Sequence, residues 1–327
     1  MLQLFRNYSP FTVIILVIAA FLMKLQALLH PVAPQAMPDH VLFASLLQVL
    51  GYAFESAFAY TLLGVAILIS QALFINHITV KHKLFTRNTY LPAFSYLLLT
   101  SLNPAFNYFS EPLLINWLVL ISVNIMMSLS QTTQPRKQIF NAAFAVCLPA
   151  LFQFPAVGFI LLFFLALVFQ RSFNIGEWTV GLMGYLTPIY FFAGVLFLAD
   201  DLHIFQHIVQ VGFAFPQHLV HPVYMIGTTA GLSILVFIGS IGLQQQLNAL
   251  TIYIRRAWGL VYAYLLVSVL VTFIAVSFVN AEWLIIMPAL SILIAHAFSF
   301  EKNKWFSNFT FYFSLLLLIF CQLALNK

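Results

Sequence analysis

The sequence predicts an all-α protein: a polytopic bundle of about eleven transmembrane helices, with further helices lying on its outer face. Three observations lead there. Of 327 residues, 63% are hydrophobic and 6% charged, with a mean hydropathy of +1.00, whereas soluble domains carry about 25% charged residues. The apolar residues gather into stretches close to the roughly 20 that cross about 30 Å of hydrocarbon. Nearly all Lys and Arg residues fall between those stretches. Soluble enzymes, disordered chains and nucleic-acid binders are thereby excluded, and the net charge of +5 reports membrane topology rather than phosphate recognition. Cys147 and Cys321 both lie in apolar runs and offer neither a disulfide framework nor metal-ligand spacing.

Charges and prolines divide the chain into spans at 10–29, 55–76, 90–106, 112–130, 139–153, 156–170, 178–199, 222–243, 257–279, 283–300 and 305–325. Residues 139–170 as one helix would run to roughly 48 Å at about 1.5 Å per residue, far too long for one crossing. Pro149 and Pro155 near its middle turn it into a hairpin of two short helices. Residues 41–76 pose the same problem. Gly51 and Glu55 mark the break there, between a helix at 41–53 that lies in the interface or re-enters the membrane and a span from about Glu55. The first run, near 20 apolar residues with no small-x-small site after it, reads as a span rather than a removable signal, whose core runs to about 7–15. The whole chain, 1–327, forms one integral membrane domain. Its residues 201–327 hold a second interfacial helix at 202–212 and four C-terminal spans.

Orientation follows from the basic residues. With the N-terminus inside, Arg6, Lys81, Lys83, Arg87, Arg136, Lys137, Arg171, Arg255, Arg256, Lys302 and Lys304 face the cytoplasm, and only Lys24 and Lys327 do not. That is the bias the positive-inside rule demands, and omitting any middle span would spoil it. The expected location is the cell inner membrane, with the N-terminus cytoplasmic.

The same topology sends Asp39, Glu55, Glu111, Asp200, Asp201 and Glu282 outward, together with His30, His40, His203, His207, His218 and His221. Outer loops need polar residues in any case. The pooling is also where chemistry would gather. Asp39 lies in the first outer loop, HPVAPQAMPDHV, and suits either a general base raised by partial desolvation or a cap on the helix that follows. Glu55 sits at the outer start of its span, where a carboxylate at membrane depth would point to function. Glu111, before Pro112, suits a cap on the next helix. Lys24 lies about one turn from the outer end of the first span, placed to snorkel or to meet an anionic phosphate. In DDLHIFQHIVQVGFAFPQHLVH, His203, Gln206, His207 and Gln210 share one helix face. His203 and His207 at i, i+4 could share a divalent cation with Asp200 or Asp201, or could simply form the polar face of an interfacial helix. No Walker A, glycine-rich dinucleotide loop or nucleophile elbow is present, and no matched pair of broken spans marks a transporter.

The order of parts resembles the GT-C glycosyltransferase superfamily over residues 1–200: one span, an outer loop with Asp39, an interfacial helix, then the second span. LTSLNPAFNYFSEPLLINWLVLISVNIMMSL (99–129) is similar to their third-to-fourth span region, and AAFAVCLPALFQFPAVGFILLFFL (142–165) resembles their paired short helices. The resemblance implies transfer of a sugar from a polyprenyl-phosphate carrier on the outer face, often with a divalent cation. Asp39 would be the base, Glu111, Asp200 and Asp201 secondary acids, and Lys24 the group nearest a phosphate. The first loop departs from that pattern in carrying one acid, followed by His40, where those enzymes carry a pair. RNTYLPAFSYLLLTSLNP (87–104), FNAAF with LFQFPA (140–156) and EWTVGLMGYLTPIYFFAG (177–194) also resemble an uncharacterised family of polytopic inner-membrane proteins of Bacteroidota, which implies no activity. Two other functions stay open: a non-enzymatic scaffold or subunit of an envelope assembly, and a lipid or solute transporter. The expected partners are membrane lipids, a polyprenyl-phosphate carrier and partner subunits, with no nucleic acid.

Overall fold

The computed structural model describes residues 2–34, 41–52, 54–201, 222–247, 249–274, 280–299 and 304–325, and among these there is no strand. The helices are α1 (Leu2–Arg6), α2 (Pro10–Met23), α3 (Leu25–Leu29), α4 (Val41–Gly51), α5 (Ala57–Lys81), α6 (Leu91–Thr100) and α7 (Glu111–Ser128). They continue with α8 (Pro135–Phe152), α9 (Phe159–Gln170), α10 (Ile175–Leu198), α11 (Pro222–Leu247), α12 (Ile252–Ile274), α13 (Met287–Phe298) and α14 (Lys304–Leu325). Three 3₁₀ turns, at Pro104–Asn107, Phe154–Gly158 and Asn280–Ile286, join them.

Local chemistry accounts for many of the boundaries. Ser9 caps α2, its Oγ accepting from the Thr12 amide at 3.4 Å, and Pro10 supplies a preset φ at the first helical position. Ser56 caps α5 through the Ala59 amide at 3.3 Å, and Asn174 caps α10 through the Gly176 amide at 2.9 Å. Glu177, in the first turn of α10, is gripped by Arg171 on both carboxylate oxygens, at 2.7 and 3.2 Å. The chain at 139–170 makes the expected hairpin: α8 stops at Phe152, the Phe154–Gly158 turn follows, and α9 returns.

Seven of the described helical stretches are long and apolar enough to cross a membrane: α5, α7, α10, α11, α12, α14 and the joined Ala281–Phe298. This is an integral, multi-pass membrane protein. Helices α2, α6 and α9 are shorter, at 14, 10 and 12 residues. The 18 residues of α8 begin with the polar PRKQ. Every residue of α6 is buried, and so are all those of α13 except Leu290. A ten-residue helix rises only about 15 Å, so α6 reaches neither face alone and is enclosed by α5, α13, α2 and α14. Enclosure is what permits it, because its freed backbone groups find protein partners instead of lipid. The Tyr90 amide at its start donates to Phe5 O at 2.9 Å.

Helix ends collect at two poles. At one, Arg6 meets Phe298 O and Ser307, Trp258 donates to Leu84 O, Lys81 donates to Asn124, and Arg256 donates to Gln170 O. At the other, Lys24 meets the 100–107 turn, Tyr224 donates to Leu102 O, Asn116 donates to Leu284 O, and Gln153 donates to Glu282. The first pole holds the described basic residues other than Lys24.

One expectation changes in detail. The first span is not one helix, because α2 ends at Lys24 and α3 restarts at Leu25. The helix expected at 41–53 is present as α4, with Phe43 buried against Phe109 at 5.7 Å between ring centroids.

Candidate functional site

The residue with the most unusual setting is Lys24. It sits at the α2–α3 break, where the helix loosens and the side chain is carried inward instead of along the lipid face. It is 0% exposed. Its ammonium donates to Asn107 Oδ1 at 2.6 Å, Thr100 Oγ1 at 3.0 Å and Ser101 Oγ at 3.5 Å. All three partners are neutral, so among the described residues no carboxylate offsets the charge. Thr100 and Ser101 are presented by the last turn of α6, and Asn107 by the 3₁₀ turn that follows Pro104. The turn itself is held by Asn103, whose Oδ1 accepts from the Ala105 amide at 3.0 Å. Gly64 of α5 permits the turn to approach, since a Cβ there would stand 3.1 Å from Asn107 O and Phe109 N.

A cavity of about 280 Å³ lies beside this cluster, lined by Gln26, Ser101, Asn107 and Gln322 with Met23 and Leu102. Ser101 and Asn107 therefore bridge the buried ammonium and the cavity. Asn107 spends its Oδ1 on Lys24, which leaves its amide nitrogen as the donor it can offer elsewhere. The Ser101 hydroxyl donates to Leu97 O at 2.7 Å, so the Asn107 amide nitrogen is the donor that faces the opening, in front of a charge held in low dielectric with no counter-ion among the described residues.

The chain as a whole matches no protein-family model, no curated protein and no solved structure. What the site does must be read from its own residues.

The other residues singled out in the sequence are dispersed. Asp39, His40, His203 and His207 lie outside the described residues. Glu55 is exposed in the loop before α5, which starts at Ala57 and not at Glu55. Glu111 is the first residue of α7 and 8% exposed, where a carboxylate suits the positive end of the helix. Asp200 and Asp201 end α10: Asp200 takes a left-handed φ of 56°, and the two amides turn back to Phe197 O and Leu196 O at 3.2 and 2.9 Å. Among the described residues no three His, Cys, Asp or Glu side chains come together as a metal site would need.

Sequence reasoning missed Thr100, Ser101 and Asn107 as the partners of Lys24, and the buried pair Gln153 and Glu282, whose side chains meet at 3.0 Å. The available signal was the run TSLNPAFN at the end of an apolar stretch, polar residues packed into a segment too short to be a solvated loop.

Proposed function

We propose that this chain is an inner-membrane protein of about eleven spans with a cytoplasmic N-terminus, which handles a polyprenyl-phosphate-linked sugar at the outer face, by binding or by transfer. One observation carries the reading: Lys24, wholly buried among neutral oxygens, stands behind a cavity of mixed polar and apolar lining at the pole opposite the basic residues. On the topology that the positive-inside rule favours, that pole is the outer one. A phosphate entering the cavity would meet Ser101 and Asn107 and neutralise the field of the ammonium behind them. The GT-C-like order of parts adds the rest of the reading, with Asp39 as base, Glu111, Asp200 and Asp201 as secondary acids, and a divalent cation as cofactor.

The test is retention of a radiolabelled polyprenyl phosphate by the full chain in lipid nanodiscs, with surface glycans scored in cells. Lys24→Met is expected to weaken binding about tenfold or more, because the field of the ammonium behind the cavity is lost. Asp39→Ala is expected to bind normally and to abolish surface glycan. Unchanged binding by Lys24→Met removes the lipid-phosphate reading, and normal glycans with Asp39→Ala remove transfer.

The scaffold reading has its own support. Helix α10 is largely unburied and exposes Met183, Tyr190, Phe191 and Leu198, a face suited to lipid or to a partner helix. Failure of polyprenyl-phosphate binding, with α10 shielded from lipid-soluble labels in cells, would favour it.

A further inference from the structure

The basic pole holds two cavities that share a wall. One, of about 460 Å³, is lined by Arg6, Arg87, Gln3, Asn7 and Thr89. The other, of about 650 Å³, is lined largely by apolar side chains, among them Leu84, Ile238, Ile241, Leu250 and Phe306. Phe85, Thr86 and Ser299 line both. We infer that the pair forms a binding site for an anionic lipid: a phosphate headgroup between Arg6 and Arg87, and its hydrocarbon chain laid past Phe85 into the apolar chamber.

Each chamber falls within the about 300–1,000 Å³ typical of ligand sites, and their chemistries divide as an amphiphile divides. The polar chamber carries two guanidiniums, the group whose planar fork best fits phosphate oxygens. Thr89 is an independent observation. It is 8% exposed, it lines the polar chamber, and its hydroxyl has no hydrogen-bond partner in the protein. A buried hydroxyl left so is destabilising, and a phosphate oxygen in the chamber would remove that cost.

The walls are built rather than collapsed. Lys83 adopts a left-handed φ of 53° and turns the chain out of α5. Leu84 is then pinned from both sides, its amide to Thr79 O at 3.0 Å and its carbonyl by the Trp258 indole at 3.2 Å. Phe85 packs on Trp258 and His296, with ring centroids 5.9 and 6.0 Å apart. Arg6 is oriented by Phe298 O at 2.8 Å and Ser307 Oγ at 2.5 Å, which fixes the guanidinium against the chamber. The inference does not depend on the Lys24 site, which belongs to the opposite pole.

The experiment uses the full chain purified from vesicles of equal phosphatidylglycerol and phosphatidylcholine, with retained lipid counted by native mass spectrometry. Wild type is expected to retain phosphatidylglycerol about tenfold over phosphatidylcholine, the worth of one charged contact. Arg87→Gln, at an exposed position, is expected to erase most of that preference. Ala249→Trp, which fills the apolar chamber it lines, is expected to lower retention of the lipid. Lys24→Met is expected to leave the preference as in wild type. Equal retention of the two lipids by wild type overturns the proposal, as does a preference untouched by Arg87→Gln. Displacement by inorganic phosphate, with Ala249→Trp having no effect, would assign the polar chamber to a free anion and overturn the lipid site.

Discussion

Lys24 Nζ donates to Asn107 Oδ1 at 2.6 Å across 83 positions of sequence, in a site from which solvent is excluded. This bond ties the break in the first span to the turn after α6. It also makes the ammonium dependent on a neutral amide. Removing the amide should therefore do more harm than removing both partners.

Asn107→Leu is expected to cost about 2–4 kcal/mol, because a buried charge loses its shortest contact. The double variant Lys24→Met, Asn107→Leu is expected to be closer to wild type than Asn107→Leu alone. Unfolding in detergent, measured as a double-mutant cycle, checks this. Additive costs would mean that the charge is not what makes the site fragile.

Gly239 lets α11 lie directly on α13, since a Cβ there would stand 2.3 Å from Leu293 O. Small residues at such crossings are how helices associate where no hydrophobic force acts between them. Gly239→Ala is expected to destabilise by about 2–4 kcal/mol, the range for overpacking against a rigid backbone. Gly194→Ala, with nothing within 4 Å of the new methyl, is expected to be neutral or to stabilise by up to about 1 kcal/mol. Thermal midpoints of the two variants should therefore move in different directions or by clearly different amounts.

His82 lies just beyond the end of α5 and is 1% exposed. Its Nε2 donates to Asn124 Oδ1 at 3.1 Å, an oxygen Lys81 also uses, so Nδ1 is the acceptor from the Tyr253 hydroxyl at 2.5 Å. Desolvation by burial, with Lys81 and His77 adding repulsion, brings the imidazole down from 6.5 to about 4. The unfolded chain thus binds a proton that the folded one refuses between those values, and stability falls as pH drops from about 6.5 toward 4. His82→Gln is expected to flatten that part of the stability–pH curve. An equally steep curve in the variant would assign the loss to another group.

Cys147 and Cys321 are both 0% exposed, so native thiols should resist a membrane-impermeant maleimide and leave the background clean. Lys137→Cys and Val32→Cys, at opposite poles, are expected to label from opposite sides of the membrane. With the N-terminus cytoplasmic, Val32→Cys reacts in intact cells and Lys137→Cys only after permeabilisation. The reverse pattern would invert the orientation.

The helical stretches were legible in the sequence because hydrophobicity enough for lipid is a local property, counted along the chain without knowing its neighbours. The hairpin at 139–170 was legible for the same reason: Pro149 and Pro155 act on their own backbone. Glu55 was legible only conditionally. Its role turned on whether α5 began at 55 or two residues later, and Ser56 as the cap decided that. The sequence places Lys24 to snorkel or to meet an anionic phosphate, and snorkelling is what a lysine one turn from a span end does when lipid surrounds it. It does not snorkel here because α6, ten residues long and sealed on all sides, brings its polar C-terminal turn to the same depth. The two chambers at the basic pole were invisible, since their walls come from α1, the 84–89 loop, α11, α13 and α14.

The sequence alone determined that this is a helical protein of the membrane and which pole bears the positive charge, because both follow from the free energy of moving individual residues out of water. Which apolar helices face lipid and which are enclosed, and whether a lone lysine meets a headgroup or three neutral oxygens, were decided only by the packing. In a bilayer the tails are as apolar as the spans, so hydrophobicity does not choose neighbours, and what remains is the fit of close-approaching glycines and the pairing of the few buried polar groups.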